Sequence, residues 1–427
     1  MTKKKIVVIG GGWAGCAAAL TAEKAGADVT LLERTDMLLG TGLVGGIFRN
    51  NGRYTAAEEC IAMGAGDLFT VMEAVATHKN MDFPGHKHAT LYNIYKIEPA
   101  VKKLLLSRGI KLLMADPAVK TEYEGDTITA VITKSGLRLT ADAFVDVSGS
   151  SAMPLNCNKH GNGCAMCILR CHSFAPRVSI CTLAGIEEWN GRKKDGSLGA
   201  MSGSCKLFKE SLAPEIVTEL EKTGCCVVPI PEAIKKHKEK LAMKACQQYA
   251  LDAYADNIVL LDTGSAKLMT PYYPLEELRM IPGFERARFE DPLSGGKGNS
   301  MRYFNFAHVD ASLKADGKTN LFCGGERAGA MVGHTEAIVS GSLAGHNAAR
   351  AANGLAPVIL PKTTAIGEFI GYVVKQMLDA ETRNKKYTFS GSVYFERMQA
   401  KNLYSTDDDA IKARVEAAGC TNIFSNL

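Results

Sequence analysis

A strand, a glycine-rich turn and a helix of small residues open the chain, and they constrain its fold more than any other feature. The apolar residues 6–9 lead directly into the turn, whose glycines include Gly10, Gly12 and Gly15. An alanine-rich segment follows, and a second apolar run at 29–32 ends on Glu33. This order is the fingerprint of a dinucleotide-binding unit in an α/β fold.

Each part of the fingerprint has a mechanical role. Gly10 allows the tight turn, Gly12 lets the backbone approach a pyrophosphate, and Gly15 lets the helix pack closely on the sheet. The helix N-terminus offers unpaired N–H groups to the phosphates. Glu33 is placed to accept hydrogen bonds from a ribose diol. Arg34 either contacts the adenosine end or meets solvent.

The composition describes an ordinary globular protein with room for several domains. The chain has 427 residues, of which 46% are hydrophobic and 22% charged, and its net charge is +5. This mild charge does not demand a nucleic-acid partner, and we predict that there is none. No apolar run is long enough to span a bilayer, so we expect no membrane contact and a cytoplasmic location. Thirteen cysteines then predict thiols, metal ligands or redox groups rather than a disulfide scaffold.

Periodicity predicts the elements between these landmarks. The glycine-rich segment 39–46 is predicted to hold no regular element, whereas helices are predicted at 55–78, 90–108 and 231–255. The predicted strands are 110–114, 119–123, 126–133, 137–147 and 321–323, the fourth running into a small-residue turn at Gly149. A helix from about 335 to 352 and a helical tail ending at Gly419 complete the chain.

The late strand and helix return to the pattern of the first residues. A strand at 321–323, followed by Gly325 and Glu326, provides a second phosphate or ribityl contact, and the helix starting near Thr335 can face a flavin ring. A protein that wraps an extended FAD needs this return. We therefore predict a first FAD-binding part at 1–150, an inserted substrate domain at 151–300, a second FAD-binding part at 301–353 and a tail at 354–427.

These blocks resemble a known family. The turn with Glu33, the segment 321–326, the segment 333–345 and the segment 361–367 are similar to blocks of the GidA/TrmFO flavoproteins. The resemblance implies a glutathione-reductase-type, Rossmann-like FAD-binding domain with an inserted α+β domain and a helical C-terminal tail. It also implies further cofactor contacts, at Thr41, Gly42, Val119, Gly149, Gly325, Glu326 and Thr335.

The sequence departs from this family where its chemistry lies. TrmFO enzymes methylate tRNA uracil with a folate donor and use cysteines at defined positions, but segment 40–46 carries no cysteine. We therefore predict an FAD-dependent oxidoreductase that transfers hydride or electrons between FAD and a small-molecule substrate. RNA uracil modification of the GidA/TrmFO kind is the alternative, and a flavin-binding sensor without turnover is a third interpretation.

Four cysteines lie close together within the predicted inserted domain. They are Cys157, Cys164, Cys167 and Cys171. As metal ligands they would hold an iron–sulfur cluster that exchanges single electrons with FAD. Alternatively, Cys164 and Cys167 form a redox-active dithiol. A third interpretation is structural, with buried thiols or a zinc site.

His334 is the remaining catalytic candidate. It lies at the start of the late helix, where the family places the reactive ring of the flavin, and it would donate a proton or hydrogen-bond the cofactor. The sequence has no second dinucleotide fingerprint. Electrons are therefore expected from a protein donor, from the cysteines or from a transiently bound nicotinamide.

Overall fold

A five-stranded parallel sheet joins strands from the first 150 residues to a strand from the segment 301–353. The computed structural model describes residues 2–152, 177–192, 196, 200–202, 205–235, 250–270, 273–290 and 300–427. The sheet has the order β20-β10-β1-β2-β6, and its strands are β1 (Lys5–Ile9), β2 (Asp28–Leu32), β6 (Lys111–Leu113), β10 (Ala143–Asp146) and β20 (Leu321–Cys323). Phe144 pairs with Leu321 in parallel register. The late strand at 321–323 therefore joins the first strands, as predicted.

Two helices pack against each other beside this sheet through backbone contact. They are α1 (Trp13–Lys24) and α10 (His334–Ala352). A Cβ on Gly341 would lie 2.2 Å from the carbonyl oxygen of Ala14, and one on Gly345 would lie 2.1 Å from that of Ala18. The small residues of both predicted helices are therefore what lets them touch.

The helix predicted at 55–78 is interrupted after Ala62 and ends at Ala74. The chain forms α3 (Gly52–Ala62), α4 (Asp67–Ala74) and then the strand β4 (Ala76–Phe83). Gly64 has a φ of +91° and terminates the first helix, as glycine does after many helices. Because β4 is mostly polar, no alternation of apolar residues marked it as a strand.

The predicted helix at 90–108 is also shorter than expected. Residues up to 92 belong to β5 (His86–Tyr92), and the helix α5 covers only Ile97–Ser107. The side chain of Asn93 accepts hydrogen bonds from the backbone N–H groups of Tyr95 and Lys96, at 3.0 and 3.2 Å. This local turn separates strand from helix, a role that asparagine commonly has.

Two other predictions in the first part need correction. Segment 39–46 does contain a regular element, the four-residue helix α2 (Gly42–Gly45), followed by β3 (Ile47–Phe48). The predicted strand at 137–147 is two strands, β9 (Arg138–Thr140) and β10, which pair with different partners. The strands β7 (Ala118–Glu124) and β8 (Thr127–Thr133) are as predicted.

The segment 151–300 builds a separate antiparallel sheet with its own core. Its order is β14-β17-β16-β15, with β14 at Cys205–Leu207, β15 at Cys225–Pro229, β16 at Asn257–Asp262 and β17 at Ala266–Leu268. The helix α7 (Pro214–Thr223) covers it, and Leu220, Leu260 and Phe284 are fully buried there. Most of the helix predicted at 231–255 lies outside the described residues. Its described parts hold a short 3-10 turn at Glu232–Ile234 and the separate helix α8 (Asp252–Asp256).

Shorter elements connect these parts. They are β11 (Ser151–Ala152), α6 (Ile180–Leu183), β12 (Glu188–Asn190), β13 (Ala200–Ser202), α9 (Leu275–Leu278), β18 (Ser300–Tyr303) and β19 (Asn305–Ala307).

The tail is helical, as predicted. It consists of α11 (Ala365–Met377), α12 (Ser392–Ala400) and α13 (Asp408–Ala417). The side chain of Asp407 accepts from the N–H groups of Asp409 and Ala410 and so caps the last helix. Among the helices of the described part of the chain, none has the length and apolar character needed to cross a membrane.

Candidate flavin site

The glycine turn between β1 and α1 is shaped for a phosphate. Gly10 has a φ of +106°, and a Cβ on Gly15 would lie 1.8 Å from the carbonyl oxygen of Gly10. These two glycines therefore satisfy steric needs of the turn itself. A Cβ on Gly12 would meet no atom within 4 Å, so the space in front of the helix N-terminus is open. An anion in that space would meet the unpaired N–H groups of α1.

Glu33 closes this turn at the end of β2. Its carboxylate accepts hydrogen bonds from the N–H groups of Gly11 at 2.8 Å and Thr35 at 2.9 Å. The side chain is largely buried, and Arg34 beside it is half-buried. A carboxylate has further lone pairs, so these bonds leave room for a ribose diol. Glu33 thus also fixes the turn, which the sequence did not indicate.

Other predicted contacts lie around the same end of the sheet. Gly149 has a φ of +69°, and its carbonyl accepts from Arg177 at 3.0 Å. The N–H of Gly325 donates to the Ser340 hydroxyl at 2.9 Å, and Glu326 is half-buried. Val119 is 44% exposed on β7, so its side chain adds little to an enclosed site.

His334 stands in a corner made by α1, α2 and β5. Its Nδ1 lies 3.3 Å from the hydroxyl of Tyr92, and a Cβ on Gly45 would lie 1.6 Å from its Cε1. Tyr92 donates to the carbonyl of Gly42 at 2.7 Å, and burial raises the pKa of this hydroxyl. The ring of Trp13 lies 6.1 Å from that of His334. The structure therefore brings His334 and Gly42 together with two aromatic residues that sequence reasoning did not select.

A buried ion pair fixes the start of α10. The Arg53 Nε donates to both carboxylate oxygens of Glu336, at 3.0 and 3.1 Å. Glu336 also accepts from the Thr388 hydroxyl at 2.6 Å and from the N–H of Phe389 at 2.8 Å. Glu336 is fully buried, and Arg53 nearly so. The ion pair thus ties α10 to α3 and to the tail, although its partners are far apart in sequence.

A second charge network lies beneath the end of β10. Arg327 is fully buried, with its Nε 3.5 Å from Asp146 and its Nη2 2.6 Å from the Ser179 hydroxyl. It also pairs with Glu188. Burial alone would raise the pKa of Asp146, but the nearby Arg327 holds that pKa below its ordinary value. The network joins the last parallel strands to the start of the segment 151–300.

The predicted cysteine site cannot be placed. Cys157, Cys164, Cys167 and Cys171 lie outside the described residues. Within the described ranges, no group of histidine, cysteine, aspartate and glutamate side chains is arranged to hold a metal ion. Cys181 does lie 3.5 Å from Cys323, sulfur to sulfur, and both are buried. The iron–sulfur, dithiol and structural interpretations of the cluster remain predictions.

Two family models match separate parts of the chain. The family described as FAD dependent oxidoreductase matches residues 5–154, and the family described as Glucose inhibited division protein A matches residues 256–356. Both include parts of the site above. In these two parts the fold and this site are similar to those of FAD-dependent oxidoreductases.

Comparisons with individual proteins are more specific than the family models. The TrmFO methylenetetrahydrofolate–tRNA-(uracil-5-)-methyltransferase of Lactobacillus helveticus (strain DPC 4571) is 41% identical over 95 residues, 22% of each chain. That of Thermosynechococcus vestitus is 40% identical over 96 residues, 22% of this chain and 20% of the relative. The GidA structure of Aquifex aeolicus in its form II crystal has a TM-score of 0.72 at 17% identity, covering 100% of this chain and 74% of that one.

In its cofactor scaffold the chain is similar to the GidA/TrmFO flavoproteins. The match to the curated relatives spans only about a fifth of their length, and the likeness to GidA shows the fold alone.

The residues present fit the FAD that this family implies. Three buried polar atoms near the phosphate turn and the start of α10 have no hydrogen-bond partner among the described residues. They are Trp13 Nε1, Ser150 Oγ and Thr335 Oγ1. Buried polar groups are nearly always hydrogen-bonded in folded proteins, so such a set indicates a polar ligand. The open space at Gly12 supports the same conclusion.

Proposed function

We propose that this protein is an FAD-dependent oxidoreductase that transfers hydride or electrons between FAD and a substrate chosen by the segment 151–300. One observation carries the proposal. The first half of α1 is in backbone contact with the middle of α10, and buried polar atoms without a partner among the described residues lie at the N-termini of both helices. Helix N-termini at the carboxyl edge of a parallel sheet are where such folds bind dinucleotides.

The residues of the site have separate roles in this proposal. Gly12 and the first turn of α1 bind the pyrophosphate, and Glu33 binds the ribose. When bound, FAD supplies the acceptor or donor of the electrons. His334 lies where it can hold a proton beside the ring, with Tyr92 at 3.3 Å orienting its Nδ1. Trp13 helps to exclude water from this corner, since it is only 3% exposed.

The cysteine cluster is the proposed redox partner of the flavin. Cys164 and Cys167 act as a dithiol in this proposal, or all four cysteines hold an iron–sulfur cluster. A visible absorption spectrum of protein purified without oxygen separates these cases. A flavin spectrum on a broad background, lost in Cys164→Ser/Cys167→Ser, supports the cluster. A clean flavin spectrum removes it and leaves the dithiol or a purely flavin mechanism.

The same spectrum tests the proposal as a whole. We expect flavin bands in the purified protein or after FAD is added back. A folded protein that shows no flavin bands in either condition would contradict the proposed function. The Gly371→Ala variant is a control that should keep the flavin bands of the parent. A Cβ there would meet no atom closer than 3.7 Å, and the position lies far from the phosphate turn in sequence.

RNA uracil modification is the second candidate, and the activity for which the relatives are named favours it. These proteins are tRNA methyltransferases, so the prediction that nucleic acid is not a partner is open to question. Binding of unmodified tRNA, measured over a range of salt concentrations, decides between the two. Tight binding that weakens steeply with salt supports the RNA function. Absence of binding at physiological salt, with flavin reduction that depends on the cysteines, supports the oxidoreductase function.

A further inference from the structure

The turn between β16 and β17 brings the segment 151–300 into contact with the loop 39–46, which holds the predicted cofactor contacts Thr41 and Gly42. A Cβ on Gly46 would lie 2.3 Å from the methyl group of Thr263, so the two are in close contact. The carbonyl of Thr263 accepts from the N–H of Ile94 at 3.0 Å. The hydroxyl of Thr77 donates to the carbonyl of Asp262 at 2.8 Å. The loop and the turn therefore form one packed unit.

A buried lysine of β17 connects this strand to the loop. Lys267, in β17, is only 4% exposed, and its Nζ donates to the carbonyl of Val44 at 2.5 Å. Val44 lies in α2, and the next residue, Gly45, contacts the ring of His334. Lys267 and His334 therefore flank the same short helix. Lysine is rarely buried to this degree in proteins, because removing an ammonium group from water costs free energy.

Two hydroxyl groups of the same turn indicate that a polar ligand approaches it. Thr263 Oγ1 and Ser265 Oγ are buried, and neither has a hydrogen-bond partner among the described residues. Their residues lie within four positions of Lys267 in the chain. Thr263 lies against Gly46 at one end of the loop, and Trp13 Nε1, which also has no hydrogen-bond partner among the described residues, lies beside Gly42 at the other end. A ligand with several polar ring atoms would satisfy such a set.

We propose that Lys267 places a positive charge beside the flavin ring and so raises the reduction potential of bound FAD. The inference rests on the proposed function and assigns a role to the segment 151–300 within it. Reduction of FAD at neutral pH takes up two electrons and one proton and leaves one negative charge on the ring. A nearby ammonium stabilises that charge in a site of low dielectric constant and leaves the oxidised ring almost unaffected.

The test is an equilibrium redox titration with dithionite against a reference dye, in protein loaded with FAD. Lys267→Gln keeps a donor for the Val44 carbonyl and removes the charge. We expect at least a tenfold fall in the ratio of reduced to oxidised FAD at a fixed potential, about 30 mV for two electrons. Lys267→Arg should restore the ratio to within about threefold of the parent. Lys120→Gln removes a lysine that is 68% exposed and should leave the ratio unchanged.

A shift smaller than threefold in Lys267→Gln would overturn the proposal. So would a folded Lys267→Gln chain that no longer binds oxidised FAD, because that result assigns Lys267 a structural role. If Lys267→Gln does not fold, Lys267→Met, with its unbranched apolar side chain, is judged by the same criteria. Failure of the parent protein itself to bind FAD would instead contradict the proposed function. The two failures are therefore distinguishable.

Discussion

Substitutions at different glycines of the phosphate turn test cofactor binding and folding separately. A Cβ at position 12 would enter open space, so Gly12→Ala should leave the free energy of unfolding almost unchanged. The added methyl group would lie where the pyrophosphate approaches the backbone. We therefore expect at least a tenfold rise in the Kd for FAD, measured by fluorescence titration. An unchanged Kd would mean that the phosphate does not lie against Gly12.

Gly15→Ala, in contrast to Gly12→Ala, should lower the free energy of unfolding. Its Cβ would overlap the carbonyl oxygen of Gly10 at 1.8 Å, and neither backbone can move freely. We expect a loss of about 1–3 kcal/mol in the free energy of unfolding, typical of an overpacked core. Urea unfolding of the FAD-free protein measures this loss, with Gly371→Ala as the matched control. A Gly15→Ala variant as stable as the control would contradict the close approach of Gly15 to Gly10.

These residue roles could be predicted from the sequence because the fingerprint fixes them by position. Gly10, Gly12 and Gly15 follow one strand at set intervals, and each role depends on the missing side chain. Lys267 could not be found in this way. Its importance depends on Val44, which is far away in the chain, and nothing in a lysine on a short strand indicates burial.

At the scale of elements, the start of α10 depends on the pair Arg53–Glu336. Glu336→Gln should cost about 3–5 kcal/mol in the free energy of unfolding, because it removes the carboxylate that pairs with the buried guanidinium of Arg53. The double variant Arg53→Met/Glu336→Met should lose less than the sum of its single variants, since it removes both charges. Urea unfolding of all the variants gives the coupling free energy between the side chains of Arg53 and Glu336. If the loss in the double variant equals the sum of the losses in the two single variants, Arg53 and Glu336 do not stabilise the fold as a pair.

Element boundaries were predicted well where the pattern of apolar residues agreed with residues that terminate a helix or a strand. β1 and the end of α13 are such cases, because β1 runs directly into the glycine turn and the last helix ends just before Gly419. The helix predicted at 55–78 was extended too far because β4, which begins at Ala76, is mostly polar, so no alternation marks it as a strand. Helix α2 was missed since four residues are too few to show a period.

At the scale of the whole molecule, the cofactor scaffold was predictable and the substrate side was not. The late strand carries a glycine pattern of its own, which predicted that it belongs with the first 150 residues, and in the structure Phe144 pairs with Leu321. The segment 151–300 has no comparable motif besides its cysteines. Its contacts with the scaffold, through Arg327, Glu188 and Lys267, join residues that only the folded chain brings together.

The network around Arg327 predicts how the stability of the whole molecule depends on pH. Arg327 lowers the pKa values of Asp146 and Glu188 in the folded state, against the effect of burial. A lowered folded pKa contributes stability above the ordinary values of 3.8 and 4.5, and this stability is lost as the pH falls through the folded values. The free energy of unfolding should therefore fall on acidification below about pH 4.5.

Arg327→Met isolates this contribution from the other titrating groups. At pH 7 it should cost about 3–5 kcal/mol, because Asp146 is then buried without its main counter-charge. In the variant the pKa of Asp146 rises, so protonation relieves that cost on acidification. The difference between parent and variant should narrow from pH 7 towards about pH 4. Urea unfolding at several pH values measures it, with Lys120→Gln as the control. Groups such as Glu59, whose pKa burial raises, cancel in the difference. A difference that stays constant with pH would show that Arg327 does not stabilise the molecule through these carboxylates.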